Sequence, residues 1–191
     1  IRDRLICGVL IALHWVFFFH AVKLSNVSVT LSVMSAGAMV TALVEPIFYK
    51  RSFVWYEVVL GLIVVIALGL ILQTEYHYIK GIMFAFFAII FSVAFTLING
   101  KAIHKSDARV MSFYQLGAGA FCMSMILLIQ GKLSVELFSI SKIDILWIAI
   151  LGIVCTAYAF VVSIAVMRHL TPFSLMLAIN MEPTSMKMGL S

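Results

Sequence analysis

The chain alternates long apolar runs with short polar breaks. Seven runs stand out, over residues 5–22, 27–48, 53–73, 78–100, 110–130, 143–167 and from 171 to the end. A helix needs about 20 consecutive apolar residues to cross roughly 30 Å of hydrocarbon, and each run meets or approaches that length. Seven spanning helices are therefore predicted. The breaks are short, so sequence neighbours should run antiparallel.

Basic residues give the predicted bundle a polarity. One set of run ends carries Arg2, Arg4, Lys50, Arg51, Lys101, Lys105, Arg109 and Arg168, whereas the other carries Lys23, Lys80, Lys132 and Lys142. Lys and Arg hold loops on the cytoplasmic side, which places residue 1 in the cytoplasm and the Ser25-Asn26 turn outside. The expected location is the cell membrane, with multiple passes.

The runs also keep phase with one another. A shift of 144 places Ile1, Ile6, Gly8, Ala21, Val22 and Leu31 on Ile145, Ile150, Gly152, Ala165, Val166 and Leu175. The first run then falls on the sixth and the second on the seventh. The members of each pair are five positions apart in the helix order, so the copies have opposite orientation, as in transporters built from inverted repeats. The expected fold is an all-α polytopic membrane bundle, with seven helices present of an expected ten in five plus five inverted repeats. Residues 1–75 would supply the last three helices of one repeat. Residues 76–191 would supply the first four of the other.

Composition narrows the alternatives. Residues of the AVILMFWYC set make up 64% of the chain and charged residues 11%; a soluble domain is nearer half apolar and a quarter charged. The net charge of +5 arises from the clusters at run ends rather than from one basic face, so nucleic acid is not an expected partner. Cys7, Cys122 and Cys155 lie inside apolar runs without metal-ligand or redox spacing, so no metal, cofactor or disulfide framework is expected.

Polar groups within a span are costly and usually face a cavity or a partner. His14 lies halfway along the first run, and the repeat offset sets it opposite Tyr158. The pair would line a central solute site; otherwise His14 hydrogen-bonds a carbonyl of a neighbouring helix. Trp15 would contact solute or lipid. Tyr114 and Gln115, one turn inside the fifth run, are candidates for the inner mouth. Asn180 and Glu182 precede Pro183, which breaks the helical hydrogen-bond ladder and frees carbonyls that could meet solute. Glu45 is expected to form an interfacial ion pair with Lys50 or Arg51. The small residues Ser35 to Ala38, with Gly117 and Gly119, are expected to permit close helix approach.

The stretch from Cys155-Thr-Ala-Tyr158-Ala-Phe160 through Thr171-Pro172 to Asn180-Met-Glu182-Pro183 resembles the EamA-like branch of the drug/metabolite transporter superfamily. So does Ala12-Leu-His14-Trp15 through Asn26, with Glu45-Pro46 closing the next run. The likeness covers nearly the whole chain, as helices three to nine of ten. It implies an exporter of amino acids, metabolites or drugs that works by alternating access around a central cavity. Two features depart from the family's pattern: Ser35-Ala36-Gly37-Ala38 replaces a mid-helix proline, and residues 184–191 form a polar tail with Lys187.

The expected function is thus secondary transport of a small solute within the bilayer, with no catalytic residues; a homodimer is compatible with it. The alternatives are an integral-membrane enzyme acting on lipid and a non-transporting scaffold. The first would need grouped His, Asp or Ser residues that the chain lacks. Unchanged solute efflux in both His14→Ala and Glu182→Gln would remove this assignment of the site.

Overall fold

The computed structural model describes residues 2–72, 76–131 and 141–179. All regular structure among these residues is helical. We number the helices α1 (Arg2–Leu24), α2 (Val27–Tyr49, in two segments), α3 (Trp55–Leu72), α4 (Ile79–Ala102), α5 (Ala108–Ile129), α6 (Lys142–Val166) and α7 (172–179). Five of them, α1, α2, α4, α5 and α6, are long and apolar enough to cross a membrane, and α3 adds a shorter apolar helix.

Four of the helix starts have a local cause. The Asn26 side chain accepts the Val29 N–H at 2.8 Å. Asp107 accepts the N–H groups of Arg109 and Val110, Ser141 that of Asp144, and Thr171 that of Ser174. These short polar side chains satisfy amide donors that a helix start leaves without a carbonyl.

Two spans depart from simple helices. The second apolar run is continuous, yet α2 is interrupted at Ser35-Ala36, between segments Val27–Met34 and Gly37–Tyr49. No proline is needed. The Ser35 Oγ donates to the Ser32 carbonyl at 2.6 Å, and the Ser35 N–H divides between the Leu31 and Ser32 carbonyls, which tightens the turn and ends the regular ladder. In α6, residues Leu151–Tyr158 form a π-helix, and the Thr156 Oγ1 donates back to the Leu151 carbonyl at 3.0 Å.

The core forms around α1. Its end packs on the start of α4, where a Cβ on Gly81 would lie 2.7 Å from Ser25 Cβ; its middle meets Ala88, and Arg4 near its start bonds Ser106 beyond the end of α4. The two helices are therefore antiparallel. On its other side α1 runs parallel to α5, with Arg4 over Tyr114 and Gly8 against Gln115, Ala118 and Gly119. The ends of α2 and α6 return to the level of Arg4: Tyr49 donates to the Leu97 carbonyl, and Arg168 to that of Ser106. Consequently α1 and α6 run in opposite senses. So do α2 and α7, since Phe173 at the start of α7 meets Glu45 near the end of α2 while Met176 lies beside Gly37. The basic residues Arg4, Arg51, Lys101, Lys105, Arg109 and Arg168 thereby gather at one end of the bundle, hereafter the basic end.

The glycine seam between α1 and α5 makes a testable demand. A Cβ on Gly8 would lie 2.5 Å from Ala118 Cβ and 2.8 Å from the Gln115 carbonyl oxygen, so the helix backbones would have to separate. Overpacking of this kind costs about 1–3 kcal/mol, and Gly8→Ala should lower the thermal midpoint in detergent. Gly117→Ala is the control, because Gly117 faces open space and is not part of the close approach expected from sequence. Equal midpoints for the two variants would refute the tight seam.

Candidate functional site

The candidate residues divide among three places. His14 is half-buried between α1 and α4. Its Nδ1 lies 2.9 Å from the Ala88 carbonyl oxygen, so Nδ1 carries the proton and donates it. Its ring stacks on Phe18 and meets Phe95 edge-on. Trp15 is half-buried and reaches towards Gly119 on α5. Tyr114 lies one turn inside α5, partly exposed, with the Arg4 guanidinium 5.6 Å from its ring centre.

Gln115 points the other way, into the protein. Its Nε2 donates to Asn99 Oδ1 at 2.6 Å, and Asn99 Nδ2 donates to Gln115 Oε1 at 3.0 Å. Both residues are 1% exposed. The two amides thus pair reciprocally across α4 and α5, beside the buried Ser112. Asn99, which read from sequence as a polar helix terminus, is the buried half of this pair.

Tyr158 stands apart from His14, exposed on α6 at the basic end. There it lines a groove of about 760 Å³ between the end of α6 and the start of α5. Val161, Val162, Ala165 and Val166 form an apolar wall, and Asp107, Arg109, Arg168 and His169 a polar rim. A second hollow of about 440 Å³ adjoins it, sharing Asp107 and Arg168 and adding His104 and Lys105. Nothing in the run pattern pointed to this groove. The available signal was the pair of basic clusters, 104–109 and 168–169, at matching run ends. Asn180 and Glu182 lie outside the described residues.

A third polar site joins α2, α3 and α7. Lys50 closes α2 in the left-handed region (φ 54°), and the Arg51 N–H reaches back to the Pro46 carbonyl at 2.9 Å. This Schellman turn folds Arg51 over the end of its own helix. There Arg51 Nη2 lies 3.0 Å from Glu45 Oε1 and 2.9 Å from Glu57 Oε2. Glu45 Oε2 also accepts the Phe173 N–H at 2.9 Å, placing a carboxylate at the positive end of α7. Both glutamates are 2% exposed. The expected partnership of Glu45 with Arg51 is present, but it is buried and shared with Glu57.

Among the described residues, no three His, Cys, Asp or Glu side chains are grouped to hold a metal ion. The arrangement provides hydrogen-bonding amides, an ion-paired helix junction and a basic groove, all set among apolar helices of membrane-crossing length. These features define a polytopic helical membrane protein. No protein-family model matches the chain, and no curated protein or solved structure is significantly similar to it.

Proposed function

We propose that the protein transports a small solute by alternating access, in the manner of the EamA-like drug/metabolite transporters that its sequence resembles. The observation that carries this reading is the mid-span interruption of α2 at Ser35-Ala36. Transporters place solute at discontinuous helices, because freed backbone groups there are tolerated only where they line a cavity or are covered by protein. Here the break lies beside α7, the helix that the offset of 144 makes its repeat partner. The same offset carries residues 35 and 36 onto 179 and 180, so Asn180 is the counterpart of the break.

The opposite senses of α1 and α6, and of α2 and α7, accord with inverted repeats. In this reading solute passes between the repeats, with His14, Trp15, Tyr114, Gln115, Tyr158, Asn180 and Glu182 as candidate contacts. The basic end faces the cytoplasm of the cell membrane. Movement of one repeat against the other exposes the break to each side in turn, without covalent chemistry.

The test uses Ser35→Cys in a chain whose Cys7, Cys122 and Cys155 are replaced by alanine. Membrane-impermeant maleimide is applied from either side of oriented vesicles. Labelling from both sides is expected. Labelling from neither side, or from one alone, would overturn alternating access at this position.

A further inference from the structure

We propose that the groove between α5 and α6 at the basic end is a binding site for an anionic phospholipid. Its shape is amphipathic along the axis of the bundle. Val161, Val162, Ala165 and Val166 occupy the last turns of α6 and form an apolar wall. Just beyond them, Arg168 past the end of α6 and Arg109 in the first turn of α5 line the opening. An acyl chain lies against the wall while the phosphodiester rests between the two guanidinium groups.

Charge identifies the headgroup. Among the described residues the side chain of Arg109 has no hydrogen-bond or ion-pair partner, and neither has that of Lys105 in the adjoining hollow. Arg168 commits Nη2 to the Ser106 carbonyl, which fixes its position and leaves most of its five donors unspent. The acidic residue at the rim, Asp107, is engaged by the Arg109 and Val110 N–H groups at the start of α5. Two arginines thus line the groove and Lys105 the adjoining hollow, against a single carboxylate, Asp107, one of whose oxygens accepts from backbone. A soluble anion would satisfy the rim but leave the valine wall uncovered. A zwitterionic lipid would cover the wall but bring a headgroup cation towards the arginines. An anionic phospholipid satisfies the rim and covers the wall, and basic pockets between spanning helices bind such headgroups.

The experiment compares lipid retention by the full chain using native mass spectrometry. The protein is reconstituted with equal amounts of phosphatidylglycerol and phosphatidylcholine. Preferential retention of phosphatidylglycerol is expected. Arg109→Gln, which removes a guanidinium without a partner among the described residues, should lower that preference about fivefold, and Arg109→Gln with Arg168→Gln about 25-fold. Arg2→Gln, a basic-end charge outside the groove, should leave it within about twofold. Equal retention of the two lipids by the native chain would overturn the proposal, as would a loss with Arg2→Gln as large as with Arg109→Gln. Inorganic phosphate is the third arm. If millimolar phosphate displaces the phosphatidylglycerol, the site is one for soluble anions and the lipid assignment fails.

Discussion

Replacing Arg51 with methionine should destabilise the protein by about 3–5 kcal/mol, the range for breaking a buried ion pair by removing one partner. Arg51 Nη2 contacts both Glu45 and Glu57, and both carboxylates are almost fully buried. Without the guanidinium, two like charges face each other with little access to water. The damage should extend beyond the triad, because Glu45 also holds the first turn of α7 through the Phe173 N–H. Two comparisons isolate the cause. Arg51→Lys should recover part of the loss, since a single nitrogen makes both contacts and an ammonium has donors for each. Glu57→Gln should cost less than about 1 kcal/mol in the native chain, and in Arg51→Met it should restore stability by removing one of the two uncompensated charges. Unfolding midpoints in a graded denaturing detergent compare the native chain with all four variants. An Arg51→Met midpoint equal to that of the native chain would show that the triad contributes nothing to folding.

This junction also shows where sequence reading stops. The helices were legible because a bilayer imposes a length on them: the observed ends of α1, α4 and α5 fall within a few residues of the apolar runs. The Arg and Lys clusters likewise came out at one end, since antiparallel neighbours follow from short connections. The pairing of Glu45 with Arg51 was legible because the two are close in sequence. Glu57 was not, because only the left-handed turn at Lys50 brings Arg51 back between the two glutamates. The break at Ser35-Ala36 escaped the run pattern for a different reason. Serine and alanine are ordinary helix residues, and what ends the ladder is a hydroxyl competing for a carbonyl. The π segment Leu151–Tyr158 is similarly silent, as its apolar composition suits either helical winding. His14 and Tyr158 correspond under the repeat offset, but that correspondence says nothing of the direction each side chain takes. The structure holds His14 on the Ala88 carbonyl and leaves Tyr158 exposed at the groove.

The Asn99–Gln115 pair carries the second large expectation. Each amide satisfies the other, and both are buried between α4 and α5. Asn99→Leu therefore leaves the Gln115 amide without its partner, at a cost of about 1–3 kcal/mol; Gln115→Leu strands Asn99 in the same way. Polar pairs between membrane helices average nearer 0.6 kcal/mol, because the unfolded chain also finds partners in the bilayer. Two reciprocal bonds, in a site nearly closed to solvent, place this pair at the upper part of the combined range. Combining the two leucines removes both the bonds and the need for them, so the double variant should be more stable than either single one. That non-additivity, read from unfolding midpoints as a double-mutant cycle, is the signature of a direct pair; simple addition of the single losses would mean that each amide bonds elsewhere. The double variant also separates structure from transport. Because it should fold nearly as well as the native chain, loss of alternating maleimide access at Ser35→Cys in that background would assign the amides a part in the movement. Retention would leave them as the bond that holds α4 to α5.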